Sequence, residues 1–226
     1  MKMLSRVLTF LSKGTRYVKA RLWTQQTYII FEKKIDGVVR PISPRIGRIH
    51  FSRVVHVTQK HFQALSSINK YLLQANFEKD VRAGHECFIG KREDTDKIVF
   101  YVWTRQRSSR ESEAGMSPAY VVTDAKEIHF FSAFTSAPYR GKGIYPAGLS
   151  YLEQYYGKLG YSRLTCSVAT NNKPSLNAIQ RLDYRPTRYR MIATTRFFHE
   201  TRRIIETANN GDMAFTHDEQ KVFEKR

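Results

Sequence analysis

Hydrophobic positions along the 226-residue chain change period several times, and each change marks an expected element. Leu4, Val7, Leu8, Leu11, Val18 and Leu22 recur at helical spacing, which predicts an amphipathic helix over residues 1–26. Tyr28 to Ile35 is apolar and aromatic and runs into Asp36-Gly37, the pattern of a strand ending at a turn. Residues 40 to 48 are a Pro-, Gly- and Arg-rich loop. From His61 to Phe77, Phe62, Leu65, Ile68, Leu72 and Leu73 return every three or four residues, as in a helix with one buried face. A hairpin pattern follows, with strands from Glu86 to Gly90 and from Ile98 to Thr104 around a charged turn. The polar run from Gln106 to Ser117 reads as a long loop.

Beyond it the periods alternate. Glu127 to Thr135 reads as a strand, Ile144 to Leu159 as a helix closed by Gly160, Ser162 to Ala169 as a strand, Lys173 to Leu182 as a helix, and Arg188 to Phe198 as a final strand or strand pair. This order implies crossover connections and an α/β (α+β) fold, a mixed sheet with helices on its faces.

Composition fits one ordinary folded domain. Hydrophobic residues make up 41%, and 13 Tyr with 14 Phe suffice to close a core. The expected organisation is a basic helix over residues 1–26, a folded domain over 27–205 and a loosely held tail over 206–226. Cys87 and Cys166 are the only cysteines, too few for a disulfide framework or a zinc thiol set, so no metal is expected and a reducing compartment, the cytoplasm, is. No segment has the length of a membrane span, and the N-terminus lacks the h-region and cleavage site of a signal peptide.

Charge narrows the partners. Thirty-eight Lys and Arg against 20 Asp and Glu leave a net +18. Residues 1–26 carry six basic side chains and no acid, which suits either an anionic membrane surface, with Phe10 and Trp23 at the interface, or packing on the protein's own domain. Residues 37–77 are also free of acids, and residues 181–203 hold seven arginines. Such clusters attract nucleic acid, anionic lipid or a phosphate-bearing ligand, and charge alone does not choose among them.

One segment points to chemistry. Between the strand ending at Thr135 and the helix starting near Ile144 lies Pro138-Tyr139-Arg140-Gly141-Lys142-Gly143-Ile144-Tyr145. A strand entering a basic, glycine-containing turn at a helix N-terminus presents free backbone N–H groups and the positive end of the helix dipole, a site for phosphate or pyrophosphate.

That segment resembles the pyrophosphate loop of the GCN5-related N-acetyltransferase superfamily, with Arg140, Gly143 and Tyr145 at its three marked positions. Tyr145 stands where that family prefers a small residue. Asn172-Lys173-Pro174-Ser175 with Leu182-Asp183-Tyr184 resembles the second signature, Asp183 and Tyr184 replacing a Gly-Phe pair. The resemblance covers residues 27 to 198 and implies a mostly antiparallel mixed sheet. It implies an acyl-CoA co-substrate, acetyl-CoA foremost. Phe134 and Thr135 would border its pantetheine arm, Gly141, Lys142, Gly143, Ile144 and Tyr145 with Arg140 would hold its pyrophosphate, and Asn172 and Ser175 would belong to the same binding region.

The implied reaction is direct attack by a primary amine on the thioester, which needs a base and a proton for the leaving thiolate. Glu127, thirteen positions before Arg140, and His129 share one strand face and are the candidate bases, with Glu86 a third. Ile179 occupies the position of the family's frequent acid tyrosine, so Tyr184 or Tyr189 is the candidate acid, or solvent supplies the proton. Cys166 reads as a small buried hydrophobe. The resemblance extends to acyltransferases of surface-polysaccharide assembly, implying an amino sugar or other anionic small-molecule acceptor at the inner membrane face. Alternatives are transfer of a longer acyl chain from CoA or acyl carrier protein, and a non-catalytic basic module that binds RNA or membrane.

Overall fold

The computed structural model describes residues 23–35, 48–106, 125–196 and 200–208. The expected N-terminal helix up to residue 22, the Asp36-Gly37 turn, the loop from 107 to 117 and, of the tail expected over 206–226, everything after Ala208 lie outside the described residues; residues 206–208 end a strand paired with its neighbour rather than starting a tail. The elements are β1 (Trp23–Lys34), β2 (Ile49–Val54), α1 (Gln59–Ile68), α2 (Gln74–Arg82), β3 (Glu86–Arg92), β4 (Ile98–Arg105), β5 (Glu127–Thr135), α3 (Ile144–Lys158), β6 (Arg163–Ala169), α4 (Lys173–Gln180), β7 (Arg185–Arg196) and β8 (Glu200–Ala208).

Three differences from the sequence expectations have local causes. Trp23 to Gln26 begin β1 rather than ending a helix, because Trp23, Thr24, Thr27 and Tyr28 are β-formers. The helix expected over 61–77 is two helices. Asn69 stops α1: its Oδ1 accepts the Tyr71 N–H (3.1 Å) and its Nδ2 donates to the Tyr101 hydroxyl (2.6 Å). The periodicity ran on because Leu65, Leu72 and Phe77 all reach one core. β2 was not expected; six residues of irregular polarity become a strand by pairing with β3, from Ile49 opposite Arg92 to Val54 opposite Cys87.

The chain falls into two compact units. In the larger, Phe31–Val168 with Asn172–Arg185, the strand order is β2-β3-β4-β5-β6, followed by the end of β1. Neighbours from β2 to β5 are antiparallel, and β5 and β6 are parallel, as a crossover through α3 requires. In the smaller, β7 and β8 form an antiparallel pair from Arg188 opposite Ala208 to Arg196 opposite Glu200.

Alternation splits the larger unit's sheet into two faces. Cys87, Ile89, Tyr101 and Trp103 meet Leu65 of α1 and Phe77 of α2 on one. Phe88 and Phe100 meet α3 on the other, where Phe88 lies edge-on to Tyr151, Tyr155 and Tyr156. Gly148 lets α3 approach: a Cβ there would come within 2.6 Å of the Phe100 ring. Among the described residues, no helix is long and apolar enough to cross a membrane.

Candidate active site

β5 determines the geometry of the site. Its parallel pairing with β6 runs from Glu127 opposite Arg163 to Phe130 opposite Cys166, whereas β5 continues to Thr135 and β6 to Ala169. Against β4 the register shifts: Tyr101 faces Phe134 but Trp103 faces Phe131, so three residues of β5 span two of β4. The extra residue is Ser132, exposed and held at φ 49°. This bulge kinks β5 where its pairing with β6 stops, and it turns both Phe131 and Phe134 toward the α1–α2 face.

After β5 the chain makes a single 3-10 turn at Ala137–Tyr139 and then the glycine turn. Gly141 and Gly143 have φ of 74° and 80°, which an L side chain rarely adopts, and Gly143 is the N-cap of α3. At the start of the helix the Ala147 N–H donates to Gly143 O, at 3.1 Å. The N–H groups of Ile144 and Tyr145 therefore have no acceptor within the helix, and Pro146 has no N–H to satisfy. A Cβ at Gly141 would meet no atom within 4 Å, so the turn has open space above it. Aromatic rings steady its cations: the Arg140 guanidinium lies 5.2 Å from the Phe134 ring centre, with Nε donating to Thr135 O (3.1 Å), and Lys142 lies over Tyr139 (5.8 Å). An open, cationic, donor-rich turn fits a pyrophosphate. Tyr145, the large residue in this turn, faces inward against Phe100 (6.3 Å), and burial raises its phenol pKa well above the usual value.

The expected base candidates lie close together on one face of β5. The Glu127 carboxylate pairs with Arg163 Nε at 2.6 Å. His129 is fully buried, with Nδ1 3.1 Å from Thr165 Oγ1 and Nε2 3.5 Å from Ser167 Oγ, both on β6. Glu86, the third, lies on the opposite face, where it accepts from Tyr156 OH (2.6 Å) and pairs with Arg53 (2.6 Å). Tyr184 is also buried, and its hydroxyl donates to Glu153 Oε1 at 3.1 Å. Asn172 Oδ1 accepts the Ser175 N–H (3.3 Å), so the Asn-x-x-Ser motif caps α4. Cys166 is 2% exposed, with its thiol pKa pushed well up by burial.

Two features near the bulge were not foreseen. His85 and Asp80 form a dyad (Nδ1 to Oδ1, 3.1 Å), and the imidazole packs edge-on against Phe131 at 5.2 Å. A five-residue spacing across a helix end gives no recognisable motif. Ser132 carried no signal either, because a bulge is a property of two strands.

A model of the acetyltransferase (GNAT) family matches residues 54–184. No curated protein sequence matches the chain. Among solved structures, a fungal multi-domain β-N-acetylglucosaminidase described as containing a GCN5-related glucosamine N-acetyltransferase region is similar at 10% identity and a TM-score of 0.55, over 80% of this chain and 22% of that one. A Drosophila protein matches at 9% identity and 0.52, over 82% and 57%, and a functionally unknown conserved protein from Staphylococcus epidermidis at 8% and 0.51, over 81% and 67%. The chain thus spans less than two thirds of the fungal and Drosophila proteins it matches. At these identities the likeness concerns the fold.

Proposed function

We propose that this chain, which belongs to the acetyltransferase (GNAT) family, transfers an acyl group, acetyl foremost, from a coenzyme A thioester to the primary amine of a small anionic acceptor. The observation that carries this reading is the end of the β5–β6 pairing at Phe130 and Cys166, directly before the open glycine turn. Parted strands leave backbone groups of Phe131 to Thr135 for an extended arm, and the turn at Gly141 and Gly143 takes its pyrophosphate.

The bound thioester supplies an activated acyl group. The amine nitrogen forms the new C–N bond as the C–S bond breaks, and the amine must lose a proton. His129 is the base in this reading, reaching the opening through Ser167, while Glu127 with Arg163 fixes the start of β5. The leaving thiolate takes its proton from solvent, because the Tyr184 hydroxyl is engaged by Glu153. Arginines in residues 181–203 favour a phosphate-bearing amino sugar as acceptor, and the six cations of residues 1–26 would hold the protein at an anionic membrane surface.

Thermal unfolding with acetyl-CoA, longer acyl-CoAs and CoA tests the donor, with ATP and heparin as controls for the +18 charge. A ligand at 100 times its dissociation constant adds about 2.7 kcal/mol, roughly 5–10 °C at this size. Stabilisation by CoA thioesters that is lost in Arg140→Ala/Gly143→Glu supports the reading. Equal shifts with heparin and none specific to CoA would sink it in favour of a polyanion-binding module.

A further inference from the structure

Away from β5, on the face that carries α1, two neighbouring cavities of about 470 and 510 Å³ share His61, Ile89, Lys91 and Asp96 as a common wall. The first lies between β2 and the start of α1, the second between α1 and the β3–β4 hairpin. Their polar rim is basic: His50 and His56 come from β2 and the link after it, Lys60 and His61 from α1, and Lys97 from the β3–β4 turn. Asp96 is the single carboxylate in either lining, and Lys91 closes on both its oxygens at 2.9 and 3.0 Å. Beneath the rim of the second cavity, Ala64, Ile68 and Ile98 make an apolar floor.

His61 is held in one tautomer. The Thr58 backbone N–H donates to its Nδ1 (3.2 Å), so the neutral ring carries its hydrogen on Nε2. Partial burial, with Lys91 and Lys60 nearby, holds its pKa below the usual imidazole value. At neutral pH the ring is therefore a fixed N–H donor beside two ammonium groups. Lysines act as point charges suited to a compact dianion, and a cavity of about 510 Å³ has room for a small ester.

We infer that the second cavity binds a small phosphate monoester, its phosphate at the wall of His61 and Lys91 between Lys60 and Lys97, its carbon portion on the Ala64–Ile68–Ile98 floor. Its lining shares no residue with the proposed donor site, and the nearest link is Arg92, beside Lys91 on β3, 5.7 Å from the Tyr139 ring of the donor turn. The inference does not depend on acyl transfer.

Titration of the full chain with phenyl phosphate at fixed ionic strength, followed by NMR of the histidine C2–H signals, tests it. A saturable shift at His61 is expected, with inorganic phosphate at least tenfold weaker because it cannot use the floor. Lys60→Gln/Lys97→Gln removes two exposed charges, should keep the thermal midpoint, and should weaken phenyl phosphate at least tenfold while leaving CoA affinity unchanged. Equal affinity for phenyl and inorganic phosphate, unchanged affinity in the variant, or displacement of phenyl phosphate by CoA would each overturn the site. Binding of phenyl phosphate as described with no binding of CoA would leave this site standing and remove the acyl-transfer reading.

Discussion

The Tyr184 hydroxyl donates to Glu153 Oε1 at 3.1 Å, and Lys33 Nζ closes on both oxygens of the same carboxylate at 2.9 and 3.0 Å. Glu153 is 2% exposed in the middle of α3, so these two donors are what make its charge tolerable there. The arrangement ties α3 to the end of β1 and to the segment between α4 and β7. Tyr184 stands where the family's second signature ends, yet its one proton points into this network.

Tyr184→Phe should therefore act on stability and not on chemistry. Loss of a hydrogen bond to a buried carboxylate costs about 1.5–3 kcal/mol, several degrees of thermal midpoint, with acyl transfer to a responsive amine kept within threefold. A hundredfold fall in turnover at an unchanged midpoint would return Tyr184 to the acid role.

Burial of neutral acids predicts a steep alkaline limit. Desolvation raises the Tyr101 phenol to about 12 and raises those of Tyr145, Tyr156 and Tyr184 well above the usual value; the Cys87 and Cys166 thiols are raised for the same reason. A raised folded pKa means the native state keeps protons that the unfolded chain releases. Stability is thus full below the unfolded values, near 8.5 for thiols and 10 for phenols, and falls as pH rises toward the folded ones. Each group contributes about 1.4 kcal/mol per pH unit within its window. The urea midpoint should hold from pH 7 to 8, decline from pH 9 and collapse by about pH 11. A midpoint unchanged to pH 11 would show that these groups are hydrated.

What was legible in the sequence follows from how locally each feature is encoded. The strand from Glu127 to Thr135 and the helices starting at Ile144 and Lys173 carry their own period, cap or glycine stop, and they form where expected. The glycine turn was legible for the same reason, since Gly141 and Gly143 are local requirements of the backbone. The break at Asn69 depends on Tyr101, 32 residues away, and the Ser132 bulge on the β4 register. Partners of the site residues follow this rule too: Thr165 and Ser167 reach His129 only once β6 lies beside β5, and Glu153 reaches Tyr184 only once α3 is docked.

Asp183 shows a local rule broken at a measurable cost. Just past α4, in place of the family's glycine, it is exposed and adopts φ 62°. The left-handed conformation costs an L side chain about 1–2 kcal/mol, which glycine avoids, although glycine also gains freedom in the unfolded chain. Asp183→Gly should raise stability by about 0.5–1 kcal/mol in chemical denaturation. A loss of stability would mean that the Asp183 side chain makes a compensating contact.

Gly148 and Gly141 require glycine for opposite reasons, and one substitution at each separates packing from binding. In Gly148→Ala the new methyl meets the Phe100 ring at 2.6 and 2.7 Å inside a close-packed layer of aromatic rings. Overpacking of this kind costs about 1–3 kcal/mol, so the thermal midpoint should fall with CoA affinity nearly unchanged once the protein is folded. In Gly141→Ala the methyl meets no atom within 4 Å, and the cost is the φ of 74° alone, about 1 kcal/mol. That methyl enters the space a pyrophosphate must occupy to reach the first N–H groups of α3, so CoA affinity should fall at least tenfold. Calorimetric titration beside thermal unfolding distinguishes the two; equal CoA affinity in wild type and Gly141→Ala would remove the turn from the donor site.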